Sequence, residues 1–335
     1  MLSPAILLLR FSSIGDILLT TPLLRALRAR HPAARITMVV RDDLADTLRH
    51  NPRLSELVTW PRGGSLRALA TELGRTEWTH RLDLHGSLRS RLLRQLMGGS
   101  WSGYPKHRWR RTLLIRSGRR YGGALGPVAE RYFEAAAGLD VRPDGGPPEF
   151  FTSQDAEREA DAFLREAGLG TSRPLIALAP GAAHWTKRWP ASHWEALVRR
   201  LRGGSDMVIV GGGDDHPIGE QLVQAGAGRV ANAAGRFSLV GSAVLIKRSR
   251  ALVAGDTGLL HLATAVGTPV VGLYGPGVEE LGFFPYHARA RVLQRPVGCR
   301  PCSAHGGPRC PLGHHRCLQE ILPEEVAQVL AGPIR

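Results

Sequence analysis

The chain has 335 residues, and at about 150 residues per domain that length points to two domains. With 43% hydrophobic and 22% charged residues it has a globular composition, which excludes a disordered chain, a fibrous repeat and a disulfide-dense scaffold. Forty-four Lys and Arg against 29 Asp and Glu leave a net charge of +15, a strongly basic balance.

From the start of the chain, Ala5–Leu9, Ile36–Val40 and Arg81–Leu84 read as strands. Asp16–Arg30 reads as one helix with Leu18, Leu19, Leu23 and Leu27 on a single stripe. Leu88–Met97 reads as a second helix with a basic outer face. Arg142–Pro148 is dense in Pro and Gly, which precludes a continuing element and marks a domain junction. Beyond it, strands are expected at Leu175–Ala179, Met207–Val210, Ala251–Ala254 and Val270–Leu273. Helices are expected between them, near Ala191–Leu201, Ile218–Ala225 and Leu259–Val266. Pro323–Leu330 is a last helix with Pro in its first turn. This alternation builds a wound α/β fold. The expected division is an N-terminal domain over 1–150, a C-terminal domain over 151–322 and a helix with tail over 323–335, with a cleft between the two domains.

The basic excess has a location. Between Arg81 and Arg120 there are eleven Lys and Arg against one acid, Asp83, with Trp101, Tyr104 and Trp109 interleaved. Such a run suits a nucleic-acid backbone, an anionic membrane surface, an anionic substrate or a plain solvated face. The longest apolar runs fall far short of the ~20 residues that span a bilayer. Met1-Leu-Ser-Pro lacks the features of a secretory signal, so cytoplasm is the expected location.

Five segments bear on the chemistry. In Arg10-Phe-Ser-Ser-Ile-Gly-Asp16 a strand ends, Gly15 permits a sharp turn, and Asp16 sits where a helix begins. Asp16 is either a plain helix cap or a carboxylate facing the crevice at the strand end, where α/β sheets bind ligands. Ala179-Pro-Gly-Ala-Ala-His-Trp-Thr186-Lys187-Arg188-Trp-Pro190 follows a strand and can hold a diphosphate, with a hydroxyl and two cations, although it lacks the P-loop spacing. In Gly255-Asp256-Thr257-Gly258-Leu-Leu-His261, small residues open a helix whose amides and macrodipole favour an anion. Gly211–Asp215 forms a turn after a strand but no dinucleotide fingerprint, since His216 takes the third glycine position. Last, Cys299, Cys302, Cys310 and Cys317 fall within nineteen residues, with His305, His314 and His315 among them. They are either reduced cysteines in a turn-rich loop or ligands to one tetrahedral Zn or Fe.

The blocks RFSSIGDILLTTPLLRALRARHP, APGAAHWTKRWP and GDTGLLHLATAVGTPVVGLYGP, in this order, resemble family 9 glycosyltransferases, the bacterial heptosyltransferases of lipopolysaccharide core assembly. LDLHGSLRSRLL and the tail CRPC…CPLGHHRCLQEILPEEV are similar to that family as well. The resemblance implies a GT-B fold of two Rossmann-like domains facing each other across a cleft. It implies inverting transfer of heptose from ADP-L-glycero-D-manno-heptose to a Kdo or heptose of the inner core, without a catalytic metal or other required cofactor. It makes Asp16 the general base and places Thr186, Lys187, Arg188, Asp256, Thr257, Gly258 and His261 on the donor. Ser13, Gly15 and the basic Arg108, Arg110 and Arg111 fall on the acceptor side, facing an anionic glycolipid.

Peripheral contact with the inner face of the cytoplasmic membrane is expected on this reading, and no nucleic-acid partner. The cysteine tail, in sequence apart from the donor motifs, is expected to hold a structural metal, if any. A protein acceptor is the alternative within the family, because some protein-modifying relatives hold a metal with four cysteines. A non-catalytic nucleotide-sugar or nucleic-acid binder would have no need of a carboxylate at Asp16.

Overall fold

The computed structural model describes residues 3–118 and 125–335. The chain forms two compact units. One is Met1–His107 with Gly126–Phe150, and the other is Arg108–Leu125 with Phe151–Arg335.

In the first unit β1 (Ala5–Leu9) leads into α1 (Ile14–Leu18) and α2 (Thr21–Arg30), followed by β2 (Arg35–Arg41), β3 (Glu56–Trp60) and α3 (Leu66–Leu73). Then come β4 (His80–Asp83), α4 (Leu88–Met97) and the short β5 (Ser102–Gly103). α5 (Arg108–Ser117) groups with the second unit, and the chain returns to the first with α6 (Val128–Ala135). The five strands run in the order β3-β2-β1-β4-β5 and every pairing is parallel. Parallel strands covered on both faces read as continuous apolar runs, and Ile6 to Leu9 are fully buried.

The single helix expected over Asp16–Arg30 is two. Pro22 has no amide to donate and sits in the first turn of α2, and the Thr20 and Thr21 hydroxyls donate back to the carbonyls of Ile17 and Leu18. The Pro/Gly segment is tied to α2: Arg25 donates to both oxygens of Asp144 and to the carbonyl of Pro147, and the Glu149 amide donates to Thr21 Oγ1 at 2.7 Å.

The second unit runs α7 (Gln154–Glu166), β6 (Leu175–Ala179), α8 (Ala191–Leu201), β7 (Asp206–Ile209), α9 (His216–Gly226) and β8 (Val230–Asn232). It continues with α10 (Leu239–Arg248), β9 (Ala251–Gly255), α11 (Gly258–Ala265), β10 (Val270–Tyr274), β11 (Ala290–Gln294), α12 (Arg316–Gln319) and α13 (Pro323–Ala331). Its sheet is also all parallel, in the order β11-β10-β9-β6-β7-β8. α13 packs into the core of this unit through Val326 and Leu330.

Strands β3, β5, β8 and β11 and helices α3, α5, α6, α7, α10 and α12 lie outside the elements expected from the sequence. α10 is buried along Val240–Ile246, so it shows no polar face to mark its period. Gly241 and Ser242 let it lie close to its neighbours, and a Cβ on Gly241 would sit 2.7 Å from the Phe237 ring. That ring stacks edge-on against Phe163 of α7, centroids 5.2 Å apart. Gly241→Val should lower stability by about 1–3 kcal/mol through overpacking, read as a lower midpoint in thermal or urea unfolding. An unchanged midpoint would show that the α7–α10 layer has room to spare.

Candidate active site

In each unit the strands wind outward in both directions from one central pair, β1 and β4 in the first and β6 and β9 in the second. Crossovers leave to opposite sides there, opening a crevice at the carboxyl ends of the strands, which is where wound α/β sheets bind ligands. Each crevice holds an ion pair.

In the first unit, Arg10 follows β1 directly and Asp16 is the third residue of α1. Arg10 Nη2 lies 2.6 Å from Asp16 Oδ1, and Arg10 Nη1 donates to the carbonyl of Leu84 beyond β4, also at 2.6 Å. The other Asp16 oxygen accepts from the amide and hydroxyl of Ser13 at 3.2 and 2.8 Å. The Asp16 side chain keeps 19% of its surface exposed, while that of Arg10 is buried under a cation–π contact with Tyr132. Burial alone would raise the Asp16 pKa. The Arg10 charge and the Ser13 hydrogen bonds outweigh it and hold the group at about 2. Asp16 is therefore not the cap itself, which is Ser13, but a bonded partner of the helix start at its third position and a fixed, partly open carboxylate.

Sequence reasoning missed Arg10, although a basic residue right after a strand and six before the acid was a usable signal. It also missed the turn after β4. Asp83 Oδ1 accepts from the amides of His85 and Gly86 at 2.9 and 2.8 Å, and Oδ2 accepts from Ser90 Oγ at 3.0 Å. Gly86 takes a φ of +55°, which suits glycine, and Lys106 passes over it to donate to the His85 carbonyl. The His85 ring packs edge-on against Phe11, and burial together with the charges of Arg10 and Lys106 lowers its pKa to about 4. The imidazole is therefore neutral near pH 7.

In the second unit a 3-10 turn, Trp185–Lys187, follows β6, and Asp256 follows β9. Lys187 Nζ lies 2.6 Å from Asp256 Oδ2, with 16% and 14% of the two side chains exposed. The backbones beneath are close: a Cβ on Gly255 would sit 2.8 Å from the Lys187 carbonyl oxygen. Thr257 is the N-cap of α11, makes no side-chain cap bond, and leaves its hydroxyl buried without a partner among the described residues. Gly258 opens the helix, and His261, one turn on, is 3% exposed. Arg188 is exposed and donates to the Ala182 carbonyl at 2.9 Å. After β7, the Asp215 carboxylate fills the space above Gly181 and Gly211, which joins the 211–215 turn to the β6 loop.

Thr186, expected to offer its hydroxyl to the donor, is engaged within the protein. Its Oγ1 donates to the Gly307 carbonyl at 3.2 Å and accepts from the Gly307 amide at 2.8 Å, and its own carbonyl accepts from His315. Thr186 thus ties the cysteine loop to the turn that carries Lys187. The expectation that the cysteines lie apart from the donor motifs is corrected by the same bonds, because distance along the chain is closed by the fold. All four cysteines, with His314 and His315, line one cavity of about 20 Å³ that Thr186 also borders. Cys299 Sγ is 3.8 Å from His314 Nε2. Among the described residues no three His, Cys, Asp or Glu side chains converge closely enough to form a ligand set as they stand.

Arg108, Arg110 and Arg111, expected on the acceptor side, share one helix. They lie on α5, which groups with the second unit, and the Arg111 guanidinium lies 6.0 Å from the centroid of the Phe283 ring. Arg119 and Arg120 of the basic run fall outside the described residues.

Residues 66–309 match the model of glycosyltransferase family 9, the heptosyltransferases. The chain belongs to that family. It is 28% identical over 347 residues to lipopolysaccharide heptosyltransferase 2 of Salmonella typhimurium, covering 97% of each chain. Among solved structures, the Escherichia coli ADP-heptose LPS heptosyltransferase II aligns at a TM-score of 0.73 with 26% identity, over 98% of this chain and 97% of that one. A family 9 glycosyltransferase from Veillonella parvula aligns at 0.82 with 23% identity, over 99% and 97%. The protein is a glycosyltransferase of GT-B fold, and among the described residues no helix is long and apolar enough to cross a membrane.

The Arg10–Asp16 pair sets a pH test. With Arg10 in place Asp16 stays ionised down to about pH 2, so any loss of activity between pH 4 and 7 comes from another group. Arg10→Gln leaves only the Ser13 hydrogen bonds against burial, so the Asp16 pKa rises and an acid limb should enter the kcat/KM profile. Arg10→Lys should restore the original profile in part. Identical profiles for both variants would show that Arg10 does not govern the charge on Asp16.

Proposed function

We propose that this glycosyltransferase moves a heptose, with inversion, from ADP-L-glycero-D-manno-heptose to a hydroxyl of a Kdo or heptose in a lipopolysaccharide inner core. The observation that carries the reading is the Lys187–Asp256 pair beside the start of α11, in a chain alignable along its whole length with lipopolysaccharide heptosyltransferases. A nucleoside diphosphate leaving group needs positive charge and amide donors. Lys187, Arg188 and the α11 amides at Thr257 and Gly258 supply them without a metal ion. Asp256 reads the sugar and, while no donor is bound, holds Lys187 in place.

Inversion takes a single displacement. The acceptor oxygen attacks the anomeric carbon, the bond to the diphosphate breaks, and Asp16 takes the hydroxyl proton. A carboxylate with a pKa of about 2 is a weak base. The transfer becomes downhill only late, once the new carbon–oxygen bond has made the hydroxyl proton acidic. Ser13 and Gly15 shape the turn around this carboxylate, and the basic α5 serves the anionic acceptor.

Asp16→Asn should cut kcat by roughly 10²–10⁴ with donor affinity retained. Lys187→Ala should weaken binding of ADP alone. Asp256→Asn frees Lys187 for the diphosphate, so ADP binding should hold or tighten while the nucleotide-sugar weakens. Calorimetry with both ligands checks this, and equal losses on both would reduce Asp256 to a support of the helix end.

The donor chemistry of the cysteine cavity suits one soft-ligand ion once its side chains draw together. Its donors are four thiols, and the amides of residues 312–315 pull Cys310 toward the thiolate against its burial. Cys299, Cys302, Cys310 and Cys317 would hold a Zn or Fe ion that clips a loop poor in apolar side chains onto Thr186. Elemental analysis of protein purified without added metal should find about one ion per chain. Four freely titrating thiols with no bound metal would leave the cysteines as loop packing. The same cavity is the feature favouring a protein hydroxyl as acceptor, and an acceptor screen with both classes decides between them.

A further inference from the structure

Helix α4 has two apolar faces, and the fold buries one. Leu93 is fully buried and Met97 packs partly into the core of the first unit, alongside Trp60 and Trp101. On the other side Leu88, Leu92 and Leu96, spaced four apart, stay 82%, 47% and 41% exposed. Residues four apart share a stripe of helix surface, so the three leucines form one patch. Single exposed leucines are ordinary, but a stripe of three on one helix marks a contact surface.

Arg89 and Arg91 flank the stripe, and α4 contains no acid. Beside it Arg91, Arg94, Gln95, Gly98, Gly99 and Trp101 line an open groove of about 480 Å³. The Arg94 guanidinium lies 6.0 Å from the centroid of the Trp101 ring, and one of its nitrogens is 3.5 Å from Asp83. Leucines in a row, arginines on both flanks and an indole at the end match the chemistry of a lipid interface. There acyl chains meet anionic headgroups, and long basic side chains lie along the boundary.

We propose that α4 is a membrane-docking helix. It lies flat on an anionic bilayer, with Leu88, Leu92 and Leu96 among the headgroups and Arg89 and Arg91 on lipid phosphates. Charge argues against a second copy of this chain as the occupant. A two-fold pairing on this face would set arginine rows against one another with no acid on the helix to offset them. At ten residues the helix is too short to span a bilayer. The inference extends the expectation of membrane contact by naming its surface, and it does not require heptose to be the sugar transferred.

The test is co-sedimentation of the full chain with vesicles of phosphatidylethanolamine and phosphatidylglycerol, against vesicles of phosphatidylcholine alone. Binding to the anionic vesicles only is expected, weakened by added salt. Leu92→Ser with Leu96→Ser, and separately Arg89→Gln with Arg91→Gln, should each weaken binding by about tenfold. These side chains are exposed, so melting curves should match the unaltered protein, and transfer to a detergent-solubilised acceptor should be unchanged. The proposal is overturned by absence of vesicle binding, or by binding that both double variants retain. A dimer in solution that only the leucine variant dissociates would overturn it too. Because vesicle binding is read without any sugar, its failure is separate from failure of the heptosyl reading.

Discussion

The constraint on which the molecule depends is the reversal of winding in an all-parallel sheet. Where neighbouring strands send their crossovers to opposite sides, their carboxyl ends cannot be covered by the connections they start. Both units leave such an opening, between β1 and β4 and between β6 and β9, and both put a cation and a carboxylate into it. Enclosed ion pairs of this kind are weak contributors to stability, since desolvation consumes most of the Coulomb gain. Their value is positional. Each pair spans two neighbouring strand ends, through the Arg10 bond to Leu84 in one unit and the Lys187–Asp256 contact in the other.

The two pairs differ in what they leave available. Arg10 is buried and spends its guanidinium on Asp16 and Leu84, so it holds a carboxylate that remains partly open. Lys187 and Asp256 are exposed to a similar small degree, and either can turn from its partner to an incoming group. A fixed carboxylate suits the proposed base, which takes its proton late in the displacement. A pair that can separate suits a donor bearing negative charge at one end and hydroxyls at the other, because a single arriving ligand satisfies both halves. Thr257, whose buried hydroxyl lacks a partner among the described residues, adds a third group whose bonding would be completed by the same ligand.

Much of this was legible in the sequence, and the part that was not has physical reasons. Strands buried on both faces announce themselves as apolar runs, and β1, β2, β6, β9 and β10 were readable for that reason. The edge strands β3, β8 and β11 are short or half exposed and share no such signature. Asp16, Lys187 and Asp256 stood out because each follows a strand and borders a turn rich in small residues. Their partners did not. The bond between Lys187 and Asp256 joins residues 69 positions apart, and only the strand order makes them neighbours. α5 shows the same limit from the other side, since its place in the first half of the chain says nothing of the unit it joins.

The cysteine loop extends the argument from position to support. The turn carrying Lys187 is only three residues long and follows Gly181, Ala182 and Ala183, which contribute little packing of their own. What fixes it lies over a hundred residues away: Gly307 takes and gives a hydrogen bond to the Thr186 hydroxyl, His315 donates to its carbonyl, and Trp185 stacks on the His315 ring at 4.4 Å. The loop from 299 to 317 has few apolar side chains with which to hold a shape. Whatever orders the four thiols therefore also orders the surface against which Thr186 rests. A structural feature remote from Lys187 in sequence thereby acts on its geometry through one intervening residue. Thr186 is a buried threonine because it joins the two loops.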